Sequence, residues 1–391
     1  MALRFLTAGE SHGPALTTIV EGVPAGVPVV KAAIDRELKR RMGGHGRGGR
    51  MKIESDGVEI LGGVRFGLAL GSPIALLIRN RDFANWQEAM DPTGSRPVGD
   101  ASRASTRPRP GHADLPGALK YGTHDARDIL ERASARETAA RTAAGAVAKA
   151  FLAELGVVVT SRTVAVGGAV AAVDEGDDVE GLLALPDDMP MRSLRPATVE
   201  AMIAAVDDAR LRADSIGGCF EVIVRGLPPG IGSHVHWDRR LDARLGAAIL
   251  SIQAVKGVSI GDGIQVSAGG GRDAHDPIGY DPVERRFTRP TNRAGGIEGG
   301  MTNGELVRLL GYLKPLATLP RALPSIDLAT KESFGADVER TDTVPIVAAG
   351  VVGEAMVSLA LADALLEKFG GDTVIETRRN RDAYVRSLRD Y

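Results

Sequence analysis

The sequence predicts an α+β fold in which sheets pack on helices and one half of the chain repeats the other. Three observations carry that expectation. First, Val20-Glu21-Gly22-Val23-Pro24-Ala25-Gly26-Val27 followed by Asp35-Arg36-Glu37-Leu38 is matched by Val224-Arg225-Gly226-Leu227-Pro228-Pro229-Gly230-Ile231 followed by Asp238-Arg239-Arg240-Leu241. Each reads as strand, Pro/Gly turn and helix. Second, Gly63 and Gly71 in GVRFGLALGSPI stand against Gly296 and Gly304 in GIEGGMTNGELV, with the same spacing of eight and an apolar, strand-like run after each. Third, each half carries one long helix, at 134–155 and 345–369. Either repeat alone could arise from chance similarity of Gly/Pro turns, but both occur in the same order. The expected organisation is two similar halves, about 1–156 and 215–370, related by a pseudo-twofold, with a more polar, helix-rich insertion at about 174–214.

Strand-like runs fall at 3–7, 15–21, 74–78, 157–166, 220–224 and 306–313. The first long helix opens on Ser134-Ala135-Arg136-Glu137, a capping-box pattern, and its Ala-rich faces allow close packing. The second is the most apolar stretch of the chain, but Glu354 and Asp363 interrupt it and Gly370-Gly371 end it, as in a buried core helix. No run of 18 apolar residues occurs, and MALRFLTAGESHG has too short an apolar stretch for a signal peptide. A cytoplasmic protein without a membrane partner is expected. No strand leads into a G-x-G-x-x-G helix entry, so a dinucleotide-binding Rossmann unit is not expected.

At 391 residues, 43% hydrophobic and 25% charged, the chain has the composition of a globular protein, long enough for a sizeable enzyme, rather than of a disordered or fibrous one. A net charge of −2 and only 4% aromatic residues argue against a nucleic-acid partner. The lone cysteine, Cys219, cannot close an intrachain disulfide, and its apolar neighbours suggest a buried thiol. Of 48 basic residues nine are lysine, leaving 39 arginines, whose rigid fork fits carboxylates and phosphates. Arg36, Arg40, Arg41, Arg47 and Arg50 are interleaved with glycines at 43–49, a pattern suited to anions and equally to a solvated surface loop. Arg103, Arg107 and Arg109 form a second cluster, and Arg132 and Arg136 a third at the start of the long helix. No acidic runs match these clusters, so a small polyanionic ligand is expected to neutralise them. His12 in GESHG and His112 in RPGHAD stand in predicted loops where either could reach a cleft as a general acid or serve structure alone. His234 and His236 alternate as a metal pair would but lack a third ligand nearby, and no metal site is expected.

GESHG at 9–13, GGHGRGGRMKIE at 43–54, RPGHAD at 109–114, SARETAARTAAGAVA at 134–148 and GGMTNGE at 299–305 together resemble chorismate synthase. So do WDRRLDARL at 237–245, KPLATLP at 314–320 and VERTD at 338–342, in the expected order over nearly the whole chain, 1–391. Ala317 and Thr341 stand where relatives often have Pro or Ser, and the loop at 269–281 is irregular.

That resemblance implies a β-α-β sandwich, a homotetramer, and a 1,4-anti elimination of phosphate from 5-enolpyruvylshikimate 3-phosphate. The reaction requires reduced FMN without net redox change. By resemblance, Arg50, Arg109, Arg136 and Arg340 bind substrate, and His12 protonates the departing phosphate. His112 acts near the flavin N1/O2 edge, Asp342 assists proton transfer at N5, and Ser11 and Ser134 support proton transfer and anion binding. Flavin contacts implied in the same way are Arg132, Ala133, Ser134, Gln253, Ala254, Gly300, Lys314, Pro315, Leu316, Ala317, Thr318 and Arg340, with Arg41 and Arg47 toward NADPH. The alternative reading is a flavin reductase or FMN-dependent oxidoreductase acting on a phosphorylated acid.

Overall fold

Leu16, Thr18 and Val20 alternate along Ala15–Glu21 as Ile74, Leu76 and Ile78 do along Ile74–Arg79, which buries one face of each and leaves the other more open. In the computed structural model, which describes residues 2–49, 55–95, 97 and 99–391, these strands form the centre of a four-stranded antiparallel sheet. Its order is Arg4–Ala8, Ala15–Glu21, Ile74–Arg79, Val58–Gly62. A second antiparallel sheet runs Val255–Ile260, Val307–Leu313, Gly218–Arg225, Val158–Val166, with the short Ala169–Val170 at its edge. Taken in chain order, the four long strands of each sheet are arranged first, second, fourth, third. Val158–Val166 thus holds in the second sheet the place of Arg4–Ala8 in the first, and the insertion at 174–214 falls between the second sheet's first two long strands.

The repeated turns share backbone geometry as well as sequence. Gly22 and Gly226 have φ of +87° and +94°, and a Cβ on either would lie 2.3 and 2.2 Å from the carbonyl oxygens of Ala2 and Gly156. These two residues precede the first strand of each half, so only glycine admits the approach.

The helices lie between the sheets. Thr138–Glu154 rests on the first sheet, Ile346–Phe369 on the second, and the two pack on each other. Gly145 lets their backbones meet, since a Cβ there would come within 2.4 Å of Ala355 Cα. Ile346–Phe369 is long and apolar enough to cross a membrane, yet 89% of its apolar window is buried in this core. Glu354, fully buried within it, pairs with Arg40 at 2.8 Å, with Lys149, and with the Ser161 hydroxyl at 2.6 Å. The insertion helices Val179–Ala184 and Pro196–Leu211 pack on the second sheet; Val179 and Leu182 cover Ile223, so Gly218–Arg225 is buried on both faces. Cys219 is buried there, and burial pushes its thiol up to about 12.

Two local expectations are corrected. The first long helix opens with a 3-10 turn, Ala135–Glu137, before the α-helix proper. Its capping box is half made: Ser134 Oγ accepts from Arg136 N–H, but the Glu137 carboxylate takes hydrogen bonds from Thr7, Arg141 and Gln253 instead of returning to Ser134. A complete box forms at Thr373 and Glu376, at the head of Val374–Leu388.

Candidate active site

The loops at 9–13 and 109–114, the head of the first long helix, the turn at 252–254 and the segments at 313–318 and 339–345 meet around one cleft of about 510 Å³. His12 enters from the loop after the first strand. Its Nδ1 lies 2.8 Å from Glu131 Oε1, its backbone N–H donates to Glu131 Oε2 at 2.8 Å, and its ring stacks on Trp86 at 3.9 Å. His112 is held alike by the buried carboxylate of Asp114, which Arg109 grips through Nε at 2.8 Å and Nη2 at 3.1 Å. Burial alone would raise the Asp114 carboxyl, but hydrogen bonds from His112 and Arg109 hold it far below the usual carboxylate range.

Asp342 Oδ2 accepts from Arg47 Nη1 at 2.8 Å and its Oδ1 from Gly48 N–H at 2.6 Å. Gly48 is forced by this approach, because a Cβ there would lie 2.4 Å from the Thr341 carbonyl. Arg41, only 4% exposed, donates to Thr138 Oγ1 and the Ala135 carbonyl and stands 3.5 Å from Asp56. Burial, reinforced by Arg136 and Arg47, lowers it to about 10, so it stays cationic at neutral pH. Arg136 is bound to Asp56 at 2.6 Å, and Arg340 to Asp82. Ser11 and Ser134 hydroxyls are 3.1 Å apart. Lys314, lowered by burial and by Lys256, donates to the Gly111 carbonyl. Ile252, Leu313, Leu316, Pro345, Ala348, Ala349 and Val352 make the apolar wall.

Of the residues singled out from sequence, Ser11, His12, Arg41, Arg47, Arg109, His112, Ala133, Ser134, Arg136, Gln253, Ala254, Lys314, Leu316, Ala317, Thr318, Arg340 and Asp342 line this cleft. Three do not. Arg132 turns to the Thr7 and Gly9 carbonyls, Pro315 lies against Gly217, and Gly300 sits by Ser233 and Arg240 in the second half. Arg50, with 51–54 of its motif, lies outside the described residues. The expectation that a polyanionic ligand neutralises the arginine clusters is corrected in part: Glu354, Asp342 and Asp56 pair with Arg40, Arg47 and Arg136 from distant segments, and Asp114 pairs with Arg109 from within its own motif. Sequence reasoning passed over Glu131, Asp82, Asp56 and Trp86; the only signal was Trp86 itself, one of two tryptophans.

A cleft that gathers cations, two histidine–carboxylate pairs and an alkyl wall is suited to acid–base chemistry on a small molecule. The chain belongs to the chorismate synthase family, whose model matches residues 3–366. It is 51% identical over 389 residues to a chorismate synthase of Symbiobacterium thermophilum, covering 99% of both chains. It is 52% identical over 389 residues to one of Solibacter usitatus, covering 100% of both. A chorismate synthase crystal structure superposes with a TM-score of 0.80 at 39% identity, covering 100% of this chain and 99% of the other. The family places the chain among lyases that act on a small molecule and require reduced flavin.

Proposed function

We propose that this cleft catalyses the 1,4-anti elimination of phosphate from 5-enolpyruvylshikimate 3-phosphate, giving chorismate, the last common precursor of the aromatic amino acids. The flavin of this reading is reduced FMN, with NADPH as its reductant, directly or through a separate reductase. The observation that carries the proposal is the convergence of both histidine–carboxylate pairs, Arg41, Arg136, Arg340, Lys314 and an apolar wall in one cleft.

The cleft residues fit a flavin. Gln253 Oε1 is buried without a hydrogen-bond partner, and its amide cannot be reversed because Nε2 donates to the Glu137 carboxylate. It is an acceptor in need of a ligand N–H, next to the alkyl wall a flat ring system requires. Ala254 beside it holds φ of +68°, a strained conformation typical of ligand-binding turns. When bound, a reduced flavin supplies electron density for C–O cleavage and takes up the hydrogen from C6.

The chain's own groups do the rest. Arg136 and Arg340 bind the phosphate and carboxylates, on the family's pattern Arg50 joins them, and Lys314 meets the flavin. His12, fixed through Nδ1 by Glu131, protonates the departing phosphate. His112, fixed by Asp114, holds a proton at the flavin N1/O2 edge. Asp342, fixed by Arg47 and Gly48, moves one at N5. Ser11 and Ser134, in mutual contact, assist proton transfer. Arg109 acts through Asp114 and His112 in this reading.

The test is stoichiometric. With FMN reduced once under nitrogen and substrate in large excess, each flavin supports many turnovers, phosphate equals chorismate, and the flavin ends reduced. One product per reduced FMN, with the flavin left oxidised, would overturn the elimination and favour the oxidoreductase alternative.

A further inference from the structure

Resting on the role given to His12, we infer that Glu131 is the positioning residue that sets the tautomer and the aim of the His12 ring. Glu131 lies in the short helix Arg127–Ala133, and its side chain is 2% exposed. It grips the 9–13 loop at three points. Its backbone carbonyl accepts from Ser11 N–H at 2.9 Å, Oε2 accepts from His12 N–H at 2.8 Å, and Oε1 meets His12 Nδ1 at 2.8 Å. An ionised carboxylate only accepts, so Nδ1 carries the hydrogen and the second ring nitrogen, Nε2, exchanges the catalytic proton.

Glu131 stays ionised in this buried place. Burial works to raise its carboxyl, but hydrogen bonds from the His12 ring and backbone and from Arg127 hold it below the ordinary glutamate value. Arg127 reaches Glu131 Oε1 at 3.2 Å and Glu339 at 2.8 Å. On the other side of the ring, Asp82 stands 4.0 Å from Nε2 and is itself held by Arg340. Glu339 and Arg340 are neighbours in sequence, so the second-half segment that supplies Arg340 and Asp342 is tied to both nitrogens of one first-half histidine. Trp86, stacked on the imidazole with an interplanar angle of 20°, blocks rotation out of this plane.

Glu131→Gln is the diagnostic change. Its amide can accept from the His12 backbone but no longer imposes one ring tautomer. The expected result is a fall in kcat of roughly 10²-fold, within the range for a misaligned proton donor, with KM within about threefold of the parent. The nitrogen-15 spectrum of the His12 ring moves from one tautomer to a mixture. Glu131→Asp, which keeps the charge, recovers at least about tenfold of the lost kcat and the parental tautomer. Glu131→Gln combined with His12→Ala is no slower than His12→Ala alone, the non-additivity of two residues acting as one. Parental kcat and an unchanged His12 spectrum in Glu131→Gln, with His12→Ala inactive, would overturn this inference and leave the role of His12 standing. Full turnover by His12→Ala would remove both. If Glu131→Gln fails to fold, Glu131→Asp decides: a folded variant with the parental tautomer but a kcat roughly 10²-fold or more below the parent counts against the inference.

Discussion

Replacing Arg109 by lysine separates a cation that binds ligand from one that holds the protein's own carboxylate. In the structure, Arg109 is 7% exposed and spends Nε and Nη2 on Asp114, which is fully buried, and Nη1 on Thr318 Oγ1 at 2.8 Å. A lysine keeps the charge and one contact to Asp114. It loses one charge-assisted bond, about 1.5–3 kcal/mol, and the bond to Thr318, about 1 kcal/mol. The expected loss of stability is therefore roughly 2–4 kcal/mol without any ligand present. An unfolding entropy of about 2.1 cal/mol/K per residue over this chain gives about 0.8 kcal/mol/K, so Tm falls by roughly 2–5 °C. Turnover falls as well, because Asp114 no longer aligns His112, while KM changes less. The assay is thermal unfolding of the ligand-free protein beside steady-state kinetics with pre-reduced flavin. An unchanged Tm with a large loss of substrate affinity would refute the reasoning and return Arg109 to the direct substrate contact that the family resemblance implies.

Two further outcomes follow from the buried charges and the repeated turns. Glu354→Gln leaves Arg40 and Lys149 with only part of their counter-charge and is expected to cost about 3 kcal/mol, read from denaturant midpoints at pH 7. The Glu354, Glu131, Asp114 and Glu137 carboxyls are all held below their unfolded values, so their stabilisation is complete above about pH 4–5 and disappears as pH falls through the lower folded values. The denaturant midpoint should drop steeply below pH 4, and Glu354→Gln should flatten that slope; an equal slope in parent and variant would contradict the assignment. Gly63→Ala should destabilise by more than Gly67→Ala, because both glycines have φ near +80° but only at Gly63 would the methyl meet backbone, 2.3 Å from the Pro73 carbonyl.

What the sequence made legible was local. The turns around Gly22 and Gly226, and Gly63 and Gly296, could be read because a single left-handed glycine leaves its mark within a few residues. The long helix at 345–369 could be read because apolar length and its stop signal are contiguous. His12 and His112 were visible as histidines in glycine-rich loops. Asp114, two residues from His112 and five from Arg109, lay within the same motif, but most of the pairing around the cleft did not, because several arginines are answered from far along the chain: Arg47 by Asp342 across 295 positions, Arg340 by Asp82 across 258, Arg40 by Glu354 across 314. Sequence runs show charge density, whereas buried pairing is made one residue at a time by the fold. The half-formed capping box has the same cause, since tertiary partners at Thr7, Arg141 and Gln253 outbid the local backbone for Glu137.

Arg40 and Arg41 show how core and cleft divide one element between them. Both sit in the last turn of Lys31–Met42, and both are buried, so burial works against the charge of each. At Arg40, Glu354 and Glu37 overturn that penalty and raise the guanidinium above its ordinary value; this arginine stabilises the fold. At Arg41, Asp56 and Asp342 do not, because Arg136 and Arg47 add to the penalty, and the group is lowered to about 10. An anion bound beside Arg41 would add to the raising effect of Asp56 and Asp342. In the proposed reading, an anion bound beside Arg41 gains more than the same contact at a solvated arginine, because little solvent must be displaced. One residue along the same helix, the fold thus answers Arg40 fully and Arg41 only in part, and it is the second that lines the cleft.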